Sequence, residues 1–263
     1  MAVIELLSHT ALEHALKEDS VVLIDARPAE AYWKGHIPGA RQFDPVLLSL
    51  QRTDAASLDR FHSLLSWALS TLGLTPDSRV VVVGAQNDAP TAKVAWALAY
   101  AGVQRIALLD GGLAVWQGEQ TSAASAWEAS RFQLNPQTEY LATADDVLGA
   151  VQRGAIILDA RSREEFDGQR SNAGRKGRVP GARFWNNSPE LDDGGRYASA
   201  DVINGQAISV GASEDEAAIV YCGGGGRAAR TFVALQLAGR PAAVYPASWL
   251  EWGVEQRYPV QSA

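Results

Sequence analysis

The chain has 263 residues, a formal net charge of −7 and a hydrophobic fraction of 47%. This length suffices for two domains of ordinary size, each with its own core. The acidic balance argues against broad binding to nucleic acid or to an anionic membrane, which needs a basic surface. No apolar run approaches the roughly 20 residues of a membrane span, and the N-terminal residues show no basic or cleavable apolar stretch, so a cytoplasmic protein is expected.

The first half predicts helices alternating with short strands. Thr10 and Glu13 have the spacing of a capping box for a first helix. A strand that ends in Asp25-Ala-Arg27 follows, and after it comes the turn Gly-His-Ile-Pro-Gly-Ala at 35–40. The apolar spacing farther along the chain then predicts a helix at 58–72, a strand at 80–83, a helix at 92–101 and a tryptophan-bearing turn at 110–116.

The second half repeats this order of elements. Thr143 and Asp146 have capping-box spacing, and the next apolar strand ends in Asp159-Ala-Arg161. The later members of the repeat are a turn at 177–182, a strand at 218–221, a helix at 228–238 and a tryptophan-bearing turn at 246–252. The chain is therefore predicted to be a degenerate tandem repeat.

Short continuous apolar strands between helices are typical of parallel sheets that are covered on both faces. The sequence predicts an α/β protein with two similar domains, each a mainly parallel sheet flanked by helices. The predicted boundaries are 1–120 for a non-catalytic domain, 121–140 for a linker and 141–263 for a catalytic domain. Residues 121–130 of the linker are rich in Ser and Ala and have weak periodicity.

The single cysteine, Cys222, stands where a strand pattern meets a helix pattern. It precedes four glycines, Gly223, Gly224, Gly225 and Gly226, and Arg227 opens the helix. Glycines let successive amides converge, and a helix N-terminus carries partial positive charge, so both features favour a thiolate. A nucleotide loop would need the Lys-Ser/Thr pair of a P-loop, which is missing. The pattern predicts a reactive cysteine in an anion cradle, and one cysteine excludes an intramolecular disulfide or a cysteine-rich zinc site.

The two halves differ at this loop. Aligned without gaps, Cys222 falls opposite Ala85, in a segment with neither a thiol nor a glycine run. We therefore expect the second half to carry the chemistry and the first half to support it.

The sequence resembles the tandem-domain rhodanese family. The resemblance rests on the duplicated halves, the turn at 35–40, the cysteine loop of the second half and the Ser-Trp-Leu-Glu-Trp segment at 248–252. That family comprises thiosulfate and 3-mercaptopyruvate sulfurtransferases. The resemblance implies two rhodanese-like domains, no cofactor, a small anionic sulfur donor, and a persulfide on Cys222 that passes to cyanide or to a thiol acceptor, either a small molecule or a protein. It also implies that the backbone from Gly223 to Arg227 holds the transferred sulfur.

The loop combines features of both classes, so the donor stays open. Gly223 resembles the mercaptopyruvate enzymes, whereas Arg227 resembles the basic loops of the thiosulfate enzymes. Arg178 stands where the family's second-half turn usually has histidine, and Glu165 stands where a substrate-binding arginine is common. These departures direct attention to a basic segment that is either a donor-anion clamp or a solvated loop, and its arginines are Arg170, Arg175 and Arg178.

Two other functions also stay open. A phosphatase or arsenate reductase of related fold places arginine at the sixth position after the cysteine, whereas Arg227 is at the fifth. The shorter loop suits a single sulfur atom better than a tetrahedral oxyanion. A persulfide relay module that serves a protein partner would form the persulfide but turn over poorly with small acceptors.

Overall fold

The computed structural model describes residues 3–18, 21–213 and 215–262; the predicted domain ends at 1 and 263 lie outside these ranges. The chain forms two compact units. The first comprises Met1–Leu48, Arg60–Gln137 and Leu191–Tyr197, and the second comprises Ser49–Asp59, Thr138–Glu190 and Ala198–Ala263. No helix among the described residues is both long enough and apolar enough to cross a membrane.

The first unit alternates strands and helices along the chain. Its elements are β1 (Val3–Leu7), α1 (His9–Lys17), β2 (Val22–Asp25), α2 (Ala29–Lys34), β3 (Arg41–Gln42), α3 (Ala55–Thr71, whose first five residues group with the second unit), β4 (Arg79–Val83), α4 (Ala89–Ala101) and β5 (Arg105–Leu109). The sheet order is β1-β5-β4-β2-β3, and the pairings are parallel.

The central strand β4 shows how the sequence favours a sheet that is covered on both faces. Val80, Val81 and Val82 are fully buried, and branched side chains of this kind favour an extended backbone with both faces covered. The next helix, α4, is buried along 91–101. It begins where Asp88 Oδ1 accepts the Thr91 amide at 3.0 Å and ends at Gly102, whose φ is 95°.

One helix start was wrongly predicted. The N-cap of α1 is Ser8, whose Oγ accepts the Ala11 amide at 3.2 Å, and Thr10 lies inside the first turn. The strand β1 pairs with β5 up to Leu7, so the chain turns into the helix directly after it, two residues earlier than expected.

The second unit repeats the order of elements from α1 to β5 and adds a final helix. They are α5 (Ala144–Arg153), β6 (Ile157–Asp159), α6 (Arg163–Phe166), β7 (Arg183–Phe184), α7 (Ala200–Ser209), β8 (Ala218–Tyr221), α8 (Gly226–Leu237), β9 (Ala242–Val244) and α9 (Ser248–Trp252). The parallel sheet order is β7-β6-β8-β9. Leu141 adds a parallel bridge to Val244, at the position that β1 occupies beside β5. The predicted α/β repeat with two parallel sheets is confirmed.

The two Asp-Ala-Arg motifs make the same contacts. Asp25 accepts the amide and the guanidinium of Arg27, and Arg27 Nη2 also donates to the Gly35 carbonyl at 2.7 Å. In the second unit Asp159 and Arg161 repeat these bonds, with the Gly177 carbonyl at 2.8 Å from Nη2. Each aspartate therefore braces the turn that follows its strand.

The stretch predicted as a linker contacts the first unit in part. The Ser130 amide donates to the Ser70 carbonyl at 2.9 Å, and the buried Phe132 donates its amide to Ser70 Oγ at 2.9 Å. The domain boundaries at 120 and 140 stay a prediction.

Candidate active site

Cys222 lies directly after β8, at the carboxyl edge of the second sheet, and its side chain is buried, with 2% of the residue exposed. The loop from Gly223 to Gly225 connects it to α8. Of the four glycines, Gly225 is the one at positive φ, 89°, and a Cβ there would lie 2.5 Å from the Pro246 carbonyl oxygen. A residue without a side chain is thus needed at the point where the loop turns into the helix.

The sulfur receives a backbone donor from this loop. The Gly225 amide lies 3.2 Å from Cys222 Sγ and donates to it. The helix α8 has no side-chain cap at its N-terminus, so the positive end of its dipole faces the loop without a competing acceptor from the cap residue. Of the amides that were predicted to converge on the sulfur, the Gly225 amide is the one that donates to Cys222 Sγ. That Gly223, Gly224, Gly226 and Arg227 add donors to a bound sulfur stays a prediction.

The segment after β9 fixes the cysteine loop through backbone and side-chain hydrogen bonds. The Trp249 amide donates to the Cys222 carbonyl at 3.1 Å, and the Leu250 amide donates to the Gly223 carbonyl at 3.0 Å. The Cys222 amide donates to Ser248 Oγ at 3.0 Å, and that hydroxyl donates to the Tyr245 carbonyl at 2.7 Å. Ser248 has a φ of 55°, a sparsely populated conformation for a residue with a side chain.

Arg227 lies beside the cysteine loop and is paired with a carboxylate. A Cβ on Gly223 would be 3.4 Å from Arg227 Nη2. Nη1 donates to Glu165 Oε2 at 2.9 Å, and Nη2 donates to Oε1 at 3.4 Å. Burial lowers the pKa of the Arg227 guanidinium, but the Glu165 hydrogen bond and then the charge of a Cys222 thiolate raise it, and the net pKa is raised. Arg227 is therefore cationic and coupled to the charge on Cys222.

A second guanidinium lies nearby, fully buried. Arg161 pairs with Asp159 at 2.7 Å and lies over the Trp249 ring, 4.3 Å from its centroid. Tyr221, the residue before Cys222, donates its hydroxyl to Asp159. Burial, followed by the Asp159 charge, raises the pKa of Tyr221 well above its usual value, so this hydroxyl stays protonated. Trp249 belongs to the core, with 1% exposed.

The three arginines of the basic segment have different surroundings. Arg175 donates to the backbone carbonyls of Trp252, Gly253, Glu255 and Tyr258. Arg178 donates to the Phe166 carbonyl at 3.3 Å and lies 4.6 Å from the Phe166 ring centroid, while Arg170 is exposed. Arg175 thus ties its segment to the chain after α9, and the prediction that these arginines contact a donor stays a prediction.

Two residues of the site were not identified from the sequence. Glu165 was recorded as a departure from a family pattern and not as a partner of Arg227; its one sequence signal is capping-box spacing with Ser162, and that box is present in the structure. Ser248 carries no sequence signal for its bond to the Cys222 amide. His36 is buried, stacks on Tyr32 at 3.7 Å between centroids and hydrogen-bonds to the Tyr32 carbonyl, so it packs its own turn.

Comparison with known proteins agrees with this geometry. The family model described as "Rhodanese-like domain" matches residues 8–119 and again 143–255. The chain is 28% identical to a thiosulfate sulfurtransferase of Azotobacter vinelandii over 95% of this chain and 94% of that protein. It is 30% identical to the 3-mercaptopyruvate sulfurtransferase of Escherichia coli (strain K12), over 90% of this chain and 87% of that protein.

A solved structure extends the likeness to three dimensions. The crystal structure of SseA from Escherichia coli, described as a 3-mercaptopyruvate sulfotransferase with the rhodanese fold, superposes with a TM-score of 0.79 at 26% identity. The superposition covers 94% of this chain and 99% of that chain. With both halves matched by the family model, the chain belongs to the rhodanese-like family and carries two copies of its domain.

Proposed function

We propose that the protein is a sulfurtransferase in which Cys222 accepts a sulfane sulfur from thiosulfate or 3-mercaptopyruvate and passes it to cyanide or to a thiol. The observation that carries the proposal is the position of Cys222 Sγ, 3.2 Å from the Gly225 amide at the uncapped N-terminus of α8. Relatives along nearly the whole chain that carry the names thiosulfate and 3-mercaptopyruvate sulfurtransferase support the activity class.

The first half-reaction transfers one sulfur atom to the enzyme. The Cys222 thiolate attacks the donor sulfur and forms a new S–S bond. With thiosulfate, the donor S–S bond breaks and sulfite leaves with the electron pair. With 3-mercaptopyruvate, the C–S bond breaks and the thiol proton is transferred to the methylene carbon, so pyruvate leaves. Both routes leave the persulfide anion on Cys222.

The second half-reaction restores the thiolate. The acceptor attacks the outer sulfur of the persulfide, and the S–S bond breaks toward Cys222. Cyanide becomes thiocyanate, and a thiolate becomes a persulfide. The amide of Gly225, with the other amides from Gly223 to Arg227 as proposed donors, stabilises the anion that is present before and after each step.

The partners follow from this chemistry. A small anionic donor and a small or protein-borne acceptor are proposed, with no nucleic acid and with a cytoplasmic location. Arg227, beside the loop, is proposed to stabilise the anionic forms of Cys222. Arg170, Arg175 and Arg178 stay candidates for contacts to the donor.

The test is mass spectrometry of the intact protein after incubation with each donor. We expect wild type to gain one sulfur atom and to lose it on addition of cyanide, with thiocyanate formed in equal amount. Cys222→Ser should gain none, because an alcohol is far less acidic and less nucleophilic than a thiol. A sulfur adduct that persists in Cys222→Ser would overturn the assignment.

The same experiment separates the rival functions. Hydrolysis of a phosphate ester by wild type, without a sulfur adduct, would support the phosphatase and contradict sulfur transfer. Rapid formation of the persulfide with slow loss to cyanide and small thiols would instead support a relay to a protein partner and contradict the proposed turnover with small acceptors.

A further inference from the structure

Glu165 is a buried acid at the edge of the cysteine loop. Only 2% of the residue is exposed. Its Oε2 accepts Arg227 Nη1 at 2.9 Å and the Ser162 amide at 3.0 Å. Burial by itself raises the pKa of the Glu165 carboxyl, but the Arg227 hydrogen bond, the Ser162 amide and the charges of Arg227 and Arg161 outweigh it, so the pKa is lowered. Glu165 is therefore a carboxylate at neutral pH.

Two guanidinium charges beside the loop are therefore balanced by carboxylates. Arg227 is paired with Glu165, and the deeper Arg161 is paired with Asp159 at 2.7 Å. What remains for an anion on Cys222 is the backbone: the Gly225 amide and a helix N-terminus, worth about half a positive charge. This partial positive charge favours a single sulfur anion. A second negative charge on a bound donor would find Arg227 and Arg161 already paired with carboxylates.

We propose that Glu165 determines donor specificity: by neutralising Arg227 it selects a sulfur donor with one negative charge, such as 3-mercaptopyruvate, over the doubly charged thiosulfate. This inference rests on the proposed function, with Cys222 as the sulfur carrier. Arg227 then stabilises the thiolate and the persulfide but does not act as a free anion-binding group.

The first test needs no sulfur transfer. Iodoacetate and iodoacetamide alkylate the same thiolate and differ in one negative charge, so the ratio of their rates reports the charge near Cys222. In Glu165→Gln the iodoacetate-to-iodoacetamide ratio should rise about fivefold, because the Arg227 charge is released. Asp146→Asn is the matched control: Asp146 also closes a capping box, with Thr143 at the start of α5, and it should leave the ratio unchanged.

Two further variants, measured by the same alkylation ratio, keep the test decisive if Glu165→Gln folds poorly. Arg227→Gln should lower the ratio, because Glu165 is left uncompensated beside the loop. The double variant Glu165→Gln/Arg227→Gln carries no charge at either position, as the neutral pair does, and should return the ratio to the wild-type value. A ratio that stays constant across all three variants would overturn the inference.

The second test compares donors by kcat/KM. Glu165→Gln should raise the thiosulfate-to-mercaptopyruvate ratio about fivefold, through a lower KM for thiosulfate, whereas Glu165→Asp keeps the charge and should retain the wild-type preference. An unchanged donor ratio in Glu165→Gln contradicts the inference while sulfur transfer stands. Absence of a persulfide in wild type with either donor contradicts sulfur transfer, and the alkylation ratio still judges the charge of Glu165.

Discussion

At the scale of the residue, Ser248 holds the backbone of Cys222 in place at a conformational cost. Its φ of 55° places a residue with a Cβ in the left-handed region, which costs on the order of 1–3 kcal/mol unless the surroundings hold it. The two hydrogen bonds of its buried hydroxyl, from the Cys222 amide and to the Tyr245 carbonyl, offset that cost. Ser248 therefore fixes the backbone from which the thiol projects.

We predict that Ser248→Ala lowers the free energy of unfolding by about 2–3 kcal/mol, because it leaves a buried donor and a buried acceptor unpaired. Ser248→Gly should lose about 1 kcal/mol less, since glycine adopts this φ without strain. Urea denaturation measures both. Ser199→Ala is the control, because Ser199 is exposed and makes no side-chain capping bond, and it should change stability by less than about 0.5 kcal/mol. Equal losses for the Ala and Gly variants would contradict a strained Ser248.

At the scale of the element, the junction of β8 and α8 depends on Gly225. The residue is in the left-handed region, with a φ of 89°, and the backbone carbonyl of Pro246 occupies the space of a side chain. Gly239, just after the same helix, also has a positive φ, 76°, but a Cβ there would meet nothing within 4 Å. The two glycines therefore separate the cost of the conformation from the cost of the contact.

Gly239→Ala is expected to destabilise the protein by about 1 kcal/mol, the conformational cost of alanine at positive φ. Gly225→Ala should destabilise it by about 3 kcal/mol or more, because the backbone must also move away from Pro246. Urea midpoints give both values, and the rate of Cys222 alkylation should change in Gly225→Ala alone. Similar losses of stability in the two variants would show that the contact with Pro246 is relieved without cost.

At the scale of the whole molecule, the two units share a topology but end their central strands differently. In the first unit, the helix after β4 is capped by Asp88, whose carboxylate accepts a hydrogen bond from the Thr91 amide. In the second, the N-cap residue of the helix after β8 is Gly225, which offers no side-chain cap, and the Gly225 amide donates to Cys222 Sγ. An acidic cap repels a bound anion, whereas an uncapped N-terminus attracts one. This local difference supports our proposal that the second unit carries the chemistry.

The stability of the protein should depend on pH through Glu165, whose ionised form the fold favours. The pKa of Glu165 is lowered from an ordinary value of 4.5, so its contribution is present above that value and is lost as the pH falls through the lower folded pKa. At pH 7, Glu165→Gln should be less stable than wild type by about 1 kcal/mol in urea denaturation. The difference should shrink as the pH is lowered below about 4.5. A difference that is constant from pH 7 to pH 3 would show that Glu165 stabilises the fold by packing and not by charge.

Local patterns were sufficient for much of the fold, and they indicated Cys222 as the candidate nucleophile. The alternation of apolar strands and helices predicted two parallel sheets, because a strand buried on both faces must be apolar throughout. The capping box of Thr143 and Asp146 is confirmed, since its bonds join residues three apart. Cys222 was assigned from its glycines and the helix that follows. The Thr10 start was wrong because Ser8, two residues earlier, offers an equivalent cap at the end of β1.

The partners that set the charge and position of the site came from the tertiary structure alone. Glu165 meets Arg227 across 62 positions of sequence, and Ser248 meets the Cys222 amide across 26. The basic segment of Arg175 was expected to be either a donor-anion clamp or a solvated loop, and only the structure shows that the Arg175 guanidinium donates to four backbone carbonyls. Periodicity and capping report interactions within a few residues, whereas these contacts depend on how strands and helices pack side by side. The amino-acid sequence thus indicated Cys222 as the candidate reactive thiol, and only the packing determined that Arg227 beside it is already paired with Glu165.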